Sequence, residues 1–569
     1  MKHIFRYMRP YAGRMSFGLV IKIVGTLMDL ALPWMLATML DEVVPTGDKV
    51  AIVALGIAML IAALIGFFGN VIANRIAAAV ARDTTRGIRR DLFRKSMYLS
   101  CSQVEQVSVA SLETRLTSDT YNIHQMVGMM QRMGVRAPIL LVGGIACAFI
   151  MEARLALVML GVLPFISVAV YFIGKRGRRL YHQVQSATDR LVRKVRQISK
   201  GIRVIKAFST QKTENEGFEK LNVGLSNAEK RAGMTMGASN PIMTILLNLG
   251  LTCVILVGAF LVHDGVTGAG KIVAFMNYFT IIANAMLVVT RIFMMYSKSA
   301  ASAQRISSIM DMQTDQPVLD DATVYDSHAV CFNDVCFSYN QKDKDCLSNI
   351  SFTLDKGRTL GIVGATGSGK STVLRLLLRL YDATQGKITV FGKDVRSYEP
   401  EQLHQSFAAV MQNDFVFSGS VYQNVAFGRD ISPEQAERAL RMAKADYVFD
   451  DPDRLEKHIT TKGTNISGGQ RQRLLIARAI ACNPQILILD DSSSALDYKT
   501  DAAIRKDLAE LDITKMIIAQ RISSVMSADK ILVMDKGRIV ASGTHDELLK
   551  ECELYKEISL SQIGGAMLE

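Results

Sequence analysis

Residues Arg358–Tyr381 read RTLGIVGATGSGKSTVLRLLLRLY. The apolar start suits a buried strand, and the leucine-rich end suits an amphipathic helix. Between them stands Gly364-Ala365-Thr366-Gly367-Ser368-Gly369-Lys370-Ser371, a GxxxxGK(S/T) phosphate loop in the strand–loop–helix setting that the motif requires. The glycines let backbone N–H groups curl around phosphate oxygens, and the helix that follows adds partial positive charge at its start. Lys370 is expected at the β and γ phosphates of a nucleotide and Ser371 at Mg²⁺, with Thr366, Ser368 and Thr372 completing the cradle. A chance glycine-rich turn would lack both flanking elements.

Strand-like segments surround this loop. AVCFNDVCFSY and NISFTL precede it, from near Asp320 onward, and Ile486-Leu-Ile-Leu489-Asp490 follows it. The last is an apolar strand ending in a carboxylate, where a nucleotide site needs a second acid to organise Mg²⁺. Alone it would say little; with the phosphate loop it defines an α/β nucleotide-binding half.

The residues ahead of Asp320 have another character. The chain of 569 residues is 49% hydrophobic, too long for one core, and its apolar residues crowd the first half. A bilayer core of about 30 Å takes about 20 apolar residues in a helix. Six runs approach that length, near Ser16–Leu40, Val50–Ile72, Val135–Met151, Leu155–Gly174, Pro241–Val262 and Ile272–Tyr296. The connections after the first, third and fifth runs are brief, whereas those after the second and fourth are long, charged and helical in pattern. Arginine and lysine concentrate in the long ones (Arg82 to Lys95, Lys175 to Arg179), which places these connections and both termini in the cytosol. The net charge of +13 is therefore read as membrane orientation, and no nucleic-acid partner is expected. The basic, aromatic opening Met1–Arg14 reads as an interfacial lead-in to the lipid. The eight cysteines form no CxxC pair and read as scattered reduced thiols. Lys22, Asp29 and Arg291 fall inside apolar runs, where a charge either pairs across helices or serves a substrate pathway. Met294 and Met295 beside Tyr296 read as ordinary packing.

A family resemblance enters through Ile466-Ser467-Gly468-Gly469-Gln470, followed by RQRLLIARAI. It resembles the LSGGQ signature that separates ABC transporters from other phosphate-loop ATPases. Gln412 in VMQNDFVFSGSVYQNVAFG is similar to the family's Q-loop, which senses Mg²⁺; Tyr339 to its adenine-stacking aromatic; Ser494-Ala-Leu-Asp497 to its D-loop. Ser111–Thr120 (SLETRLTSDT) and Gly201–Phe208 (GIRVIKAF) resemble the two cytosolic loops by which exporters dock on their ATP-binding domains. The resemblance implies a multi-domain chain: an all-α six-helix transmembrane domain followed by an α/β ABC ATPase domain. The expected divisions are an amino-terminal interfacial helix at 1–15, a transmembrane domain at 16–305, a linker at 306–325 and the ATPase domain at 326–569. ATP and Mg²⁺ are the implied cofactors, with Ser371, Gln412 and Asp490 at the metal.

Two positions depart from the family pattern. After Asp490 the family usually has Glu, which polarises the attacking water; here Asp491 is one methylene shorter. Where the switch loop usually has His, this chain has Gln520, which donates a hydrogen bond but carries no positive charge. Together they resemble the degenerate site of heterodimeric exporters, in which ATP lies between the phosphate loop of one chain and the signature of the other. The implied catalytic set Asp490, Asp491 and Gln520 would then turn over slowly. Ser467, Gly468, Gly469 and Gln470 would complete the competent site of a partner half-transporter that carries Glu and His. Thr461 stands where the family often has Glu before the signature, with no consequence that can be read. The leading expectation is a plasma-membrane exporter of amphipathic drug- or lipid-like cargo. A peptide exporter, a siderophore importer of the same fold and a nucleotide-gated regulator are the alternatives. Soluble kinases and DNA-repair ATPases are excluded by the apolar runs.

Overall fold

The computed structural model describes residues 2–313, 316–321, 323–339, 345–412 and 414–563, so three positions of the expected linker (314, 315 and 322) lie outside it. The chain divides into two compact units, Met1–Met97 with Ser108–Met312, and Tyr98–Val107 with Gln313–Glu569.

The first unit is helical. Its long helices are Ala12–Thr38, Lys49–Met97, Thr120–Met151, Ala153–Ala207, Gln211–Gly237, Ser239–His263 and Ala269–Met310. Among the described residues five stretches are long and apolar enough to cross a membrane: His3–Thr46, Lys49–Met97, Val109–Met151, Gln211–His263 and Ala269–Met310. This differs from the six expected. The fourth run opens the helix Ala153–Ala207; among the described residues its apolar stretch is Ala153–Phe165, and in the sequence the run goes on to Gly174. The helix then continues without a break into the charged segment beyond Lys175. Leu155, Met159, Val254, Phe275, Phe279 and Ile282 are buried together at the centre of the unit, and the Tyr278 hydroxyl donates to the Leu30 carbonyl at 2.7 Å.

The charges within the apolar runs are paired across helices. Lys22, 3% exposed, donates to Asn70 Oδ1 at 2.8 Å and Asn74 Oδ1 at 3.1 Å. Asp29 lies 3.0 Å from Arg136 and accepts from Asn70 Nδ2 at 3.4 Å. Asn70 thus joins both charges, and Lys22 and Asp29 find partners that a hydrocarbon surrounding could not supply. Arg291 is exposed.

Asp41 makes a further cross-helix contact. Its two carboxylate oxygens accept from the backbone N–H groups of Gly270 (2.6 Å) and Lys271 (2.9 Å), at the start of the helix Ala269–Met310. A carboxylate there satisfies two orphan donors and faces the positive end of the helix. Asp41→Ala is therefore expected to cost about 1–2 kcal/mol. It should lower the apparent melting temperature of the detergent-solubilised chain by several degrees, while Asp41→Asn retains part of the cap.

In the second unit a six-stranded sheet runs in the order Arg538–Gly543, Lys530–Asp535, Thr359–Gly364, Thr514–Ile518, Ile486–Asp490, Phe407–Val410. All neighbours are parallel except the first pair. The inner strands are almost wholly buried and apolar, as a parallel sheet covered on both faces requires. An antiparallel sheet of Leu347–Leu354, Val330–Phe337, Gln385–Val390 and Lys393–Asp394 lies beside it, with Phe332 stacked on Phe352 at 4.6 Å. Helices Val421–Ala426, Pro433–Met442 and Gly468–Ala481 share a separate apolar core.

The docking loops differ from expectation. Ser111–Thr120 belongs to the helical unit, because Ser108 (φ +65) starts a new helix, Val109–Thr114, that leads on towards Thr120–Met151. The segment grouped with the ATPase unit is the one before it, the helix Cys101–Val107. Ser100 and Gln103 cap its start reciprocally, and Gln103 Nε2 donates to the Gln313 carbonyl at 2.5 Å.

Candidate nucleotide site

Four adjacent parallel strands, Thr359–Gly364, Thr514–Ile518, Ile486–Asp490 and Phe407–Val410, end on one edge of the sheet. Their register pairs Ile518 with both Ile362 and Asp490, and Val410 with Leu489. The phosphate loop leaves the first strand, Gln520 follows the second, Asp490 and Asp491 end the third, and Gln412 follows the fourth. Residues scattered over more than a hundred positions converge because the carboxyl ends of parallel strands share an edge, the usual place for ligands in α/β sheets.

They surround a cavity of about 200 Å³ lined by Thr366, Gly367, Gly369, Lys370, Ser371, Thr372, Gln412, Asp490, Asp491 and Gln520. Cys346, Ile518 and Ala519 also line it. No motif pointed to Cys346; Ile518 and Ala519 were legible as the apolar strand leading to Gln520. Two glycines shape the loop. A Cβ on Gly364 would fall 2.1 Å from the Met534 carbonyl oxygen, and Gly369 (φ +99) occupies a left-handed turn where a Cβ would meet Leu347 at 2.6 Å.

Lys370 is buried, and its Nζ donates to the carbonyls of Gly364 (2.7 Å) and Ala365 (2.8 Å). Burial pushes its pKa down, opposed by the charges of Asp490 and Asp491. The loop thus holds an ammonium on its own oxygens, which phosphate oxygens can replace with added charge. Asp490 is 5% exposed. Burial pushes its carboxyl above the usual range, and a hydrogen bond with Ser371 works against that shift.

Asp491 has a left-handed backbone (φ +50), a conformation that Asp adopts more readily than most residues. Its N–H donates to the Ile518 carbonyl at 2.8 Å. Its Oδ2 accepts from Gln412 Nε2 and Gln520 Nε2, both at 3.3 Å. Burial raises its pKa, countered by Gln412, Arg521 and Lys370. The two departures from the family pattern and the Q-loop glutamine therefore meet on one oxygen atom, whose lone pairs two neutral amides already engage.

Other expected site residues stand apart from the cavity. Ser467 caps the helix Gly468–Ala481, accepting from the Gln470 N–H at 3.2 Å while its own N–H donates to Gln470 Oε1 at 2.9 Å. Ser467 and Gly468 are exposed, and no acidic residue occupies the first turn. Asp497 caps the helix Tyr498–Ala509 through the Thr500 N–H. The Tyr339 hydroxyl lies 3.2 Å from Thr372 Oγ1 and accepts from Arg375 at 2.8 Å. All eight cysteines are free thiols.

Comparison with known proteins agrees with this architecture. Residues 15–286 match the ABC transporter transmembrane region, and residues 347–494 match the ABC transporter ATP-binding family. An uncharacterized ABC transporter ATP-binding protein of Mycobacterium tuberculosis is 34% identical over 580 residues, covering 98% of each chain. The ATP-dependent lipid A-core flippase of Vibrio cholerae is 28% identical over 578 residues, covering 99% of this chain and 98% of its own. The solved structure of a bacterial Atm1-family ABC exporter with ATP bound superposes with a TM-score of 0.79 at 23% identity, covering 97% of this chain and 98% of that one. The last likeness bears on fold.

The chain belongs to the ABC transporter family. It is a half-transporter with the fold of an ABC exporter, a membrane domain fused to an ATP-hydrolysing domain in one multi-pass chain.

Proposed function

We propose that this chain is the slowly hydrolysing half of a heterodimeric exporter of amphipathic small molecules. The observation that carries this reading is Asp491. Its carboxylate is one methylene short and accepts from Gln412 and Gln520 on a single oxygen. A general base must reach the water it polarises; the short Asp491 side chain works against this, and Gln412 and Gln520 hold its Oδ2 back. Gln520 adds no positive charge where a protonated imidazole would. The intact signature supports a partner: Ser467 and Gly468 lie exposed at a helix start, available to phosphates brought by another chain. A second support is the tip of the helix Ala153–Ala207 and the turn after it, where Ile202, Val204 and Phe208 are exposed, Phe208 by 75%. Three apolar side chains at a charged helix end suit a docking face on a second ATPase domain.

The donor set fits Mg²⁺–ATP, since Ser371 and Asp490 offer hard oxygens in mutual hydrogen bond. With Gln412 they would hold the ion, which supplies charge neutralisation at the phosphates when bound. The fourth apolar run is proposed as a sixth span, which keeps both termini and the ATPase domain on the cytosolic, arginine-rich side. Amphipathic cargo fits a membrane unit in which Lys22 is bonded to Asn70 and Asn74 and Asp29 is paired with Arg136.

The test is transport. The chain is purified with its partner half and reconstituted in inside-out vesicles, and fluorescent amphiphiles, peptides and siderophore-like chelates are offered. ATP-dependent accumulation of the amphiphile supports the reading. Accumulation of peptide alone, export of chelate from the lumen, or no movement with full nucleotide binding each contradicts it in favour of one alternative.

A further inference from the structure

The ATPase unit contains a continuous chain of contacts from the phosphate-loop helix to the segment Tyr98–Val107, which the mechanism above leaves unused. It starts on the helix Lys370–Leu377, where Thr372 and Arg375 meet the Tyr339 hydroxyl. The Tyr339 ring stands edge-on to Tyr381, with centroids 5.1 Å apart and planes at 85°. Phe337 packs edge-on against both, at 4.8 Å and 5.8 Å. The Tyr381 hydroxyl then donates to Glu105 Oε1 at 2.7 Å, across 276 residues. Glu105 lies on the helix Cys101–Val107, and Gln103, two residues earlier on the same helix, is held by the Gln313 carbonyl. Burial and the Glu105 bond both push the Tyr381 hydroxyl pKa upward, so it remains a donor at any physiological pH.

We propose that Tyr381 is a positioning residue that reports the position of Tyr339, and hence adenine occupancy, to the helix Cys101–Val107 through Glu105. The inference rests on the reading of Tyr339 as the adenine-stacking ring. A ring that stacks on a base presents its face to it. In the arrangement described here, the Tyr339 hydroxyl is bonded to Thr372 and Arg375, and its neighbours pack at its edge and face. Stacking on adenine therefore changes the edge-on packing with Tyr381. The Tyr381 oxygen lies on the axis of its ring, so a flip leaves the bond in place, whereas a swing of the side chain about Cα–Cβ carries the donor away from Glu105. The bonds of Glu105 to Tyr381 and of Gln103 to the Gln313 carbonyl both tie this short helix down, so loss of one should loosen it. Coupling of this kind is reciprocal, so loss of the Glu105 bond should also alter how nucleotide binding is felt at the segment.

The experiment is hydrogen exchange of peptides spanning residues 98–107 in the full-length chain in nanodiscs, with and without a non-hydrolysable ATP analogue. In the native chain the nucleotide is expected to change exchange in this segment. In Tyr381→Phe, which keeps the ring and loses only the hydroxyl, exchange without nucleotide should approach that of the nucleotide-bound native chain, and the nucleotide-dependent change should fall about fivefold or more. Glu105→Ala should behave like Tyr381→Phe, and Glu105→Gln, which keeps an acceptor oxygen, should restore the response. A full response in Tyr381→Phe overturns the proposal, as does a native chain with no response. A shift without nucleotide in both variants that leaves the nucleotide-dependent change intact would reduce Tyr381 to a structural contact and overturn it too. The adenine reading is tested separately by the affinity of Tyr339→Ala for a fluorescent ATP analogue, expected to be about tenfold weaker. Unchanged affinity there contradicts the stacking role, whatever the exchange data show.

Discussion

Asp491→Glu should make this chain a faster ATPase, by about tenfold, and the double variant Asp491→Glu with Gln520→His by about a hundredfold. The direction is unusual, because a substitution at a catalytic position almost always lowers rate. Here the added methylene carries the carboxylate towards the site where the attacking water must sit. Misplacement of about 1 Å in such a group can cost about a hundredfold. The first variant recovers only part of that for two reasons. Residue 491 has a left-handed backbone, which Glu tolerates less well than Asp. Gln412 and Gln520 remain as donors to whichever oxygen lies within reach. Replacing Gln520 removes one competing amide and introduces a side chain able to carry positive charge. Steady-state phosphate release by the purified chain, with equal nucleotide affinity confirmed for each variant, measures the effect. A fall in turnover for both variants would mean that Asp491 is already placed for catalysis.

The second large effect concerns Ser467. A bulky cation at this position, Ser467→Arg, would fill the space at the helix start where phosphate of a partner-held nucleotide is expected. It would also remove the hydroxyl that accepts the Gln470 N–H. The cap itself is worth only about 1 kcal/mol, and Ser467 is exposed, so the fold should survive. The loss is specific to the assembly, since in this chain the signature does not line the cavity that holds Lys370 and Asp491. Hydrolysis by the two-chain complex should fall by about a hundredfold or more, because the donors that stabilise charge at the competent site are withdrawn.

What could be read from the residues differed from what the fold added for a physical reason. The phosphate loop, the acid at Asp490 and the signature are local, and each is a short run whose chemistry depends on its immediate neighbours. The meeting of Gln412, Asp491 and Gln520 on one oxygen depends on strand order and register, which no short stretch encodes. The same holds for Asp41, whose helix-capping partners lie 229 and 230 residues on, and for Tyr381 with Glu105. The division of the chain just after Val107 turns on a helix break at Ser108, where a positive φ at a serine leaves little trace in composition.

The central claim is that this chain's own site holds ATP while its signature serves a partner. The most direct measurement is steady-state ATP hydrolysis by the chain alone and with its partner half, each with Asp491→Asn or Ser467→Arg introduced. The account predicts nucleotide binding with very slow turnover alone, and brisk turnover with the partner that Asp491→Asn largely preserves and Ser467→Arg abolishes. Brisk turnover by the lone chain, lost in Asp491→Asn, would contradict it: Asp491 would then be a working base, and the transporter a homodimer.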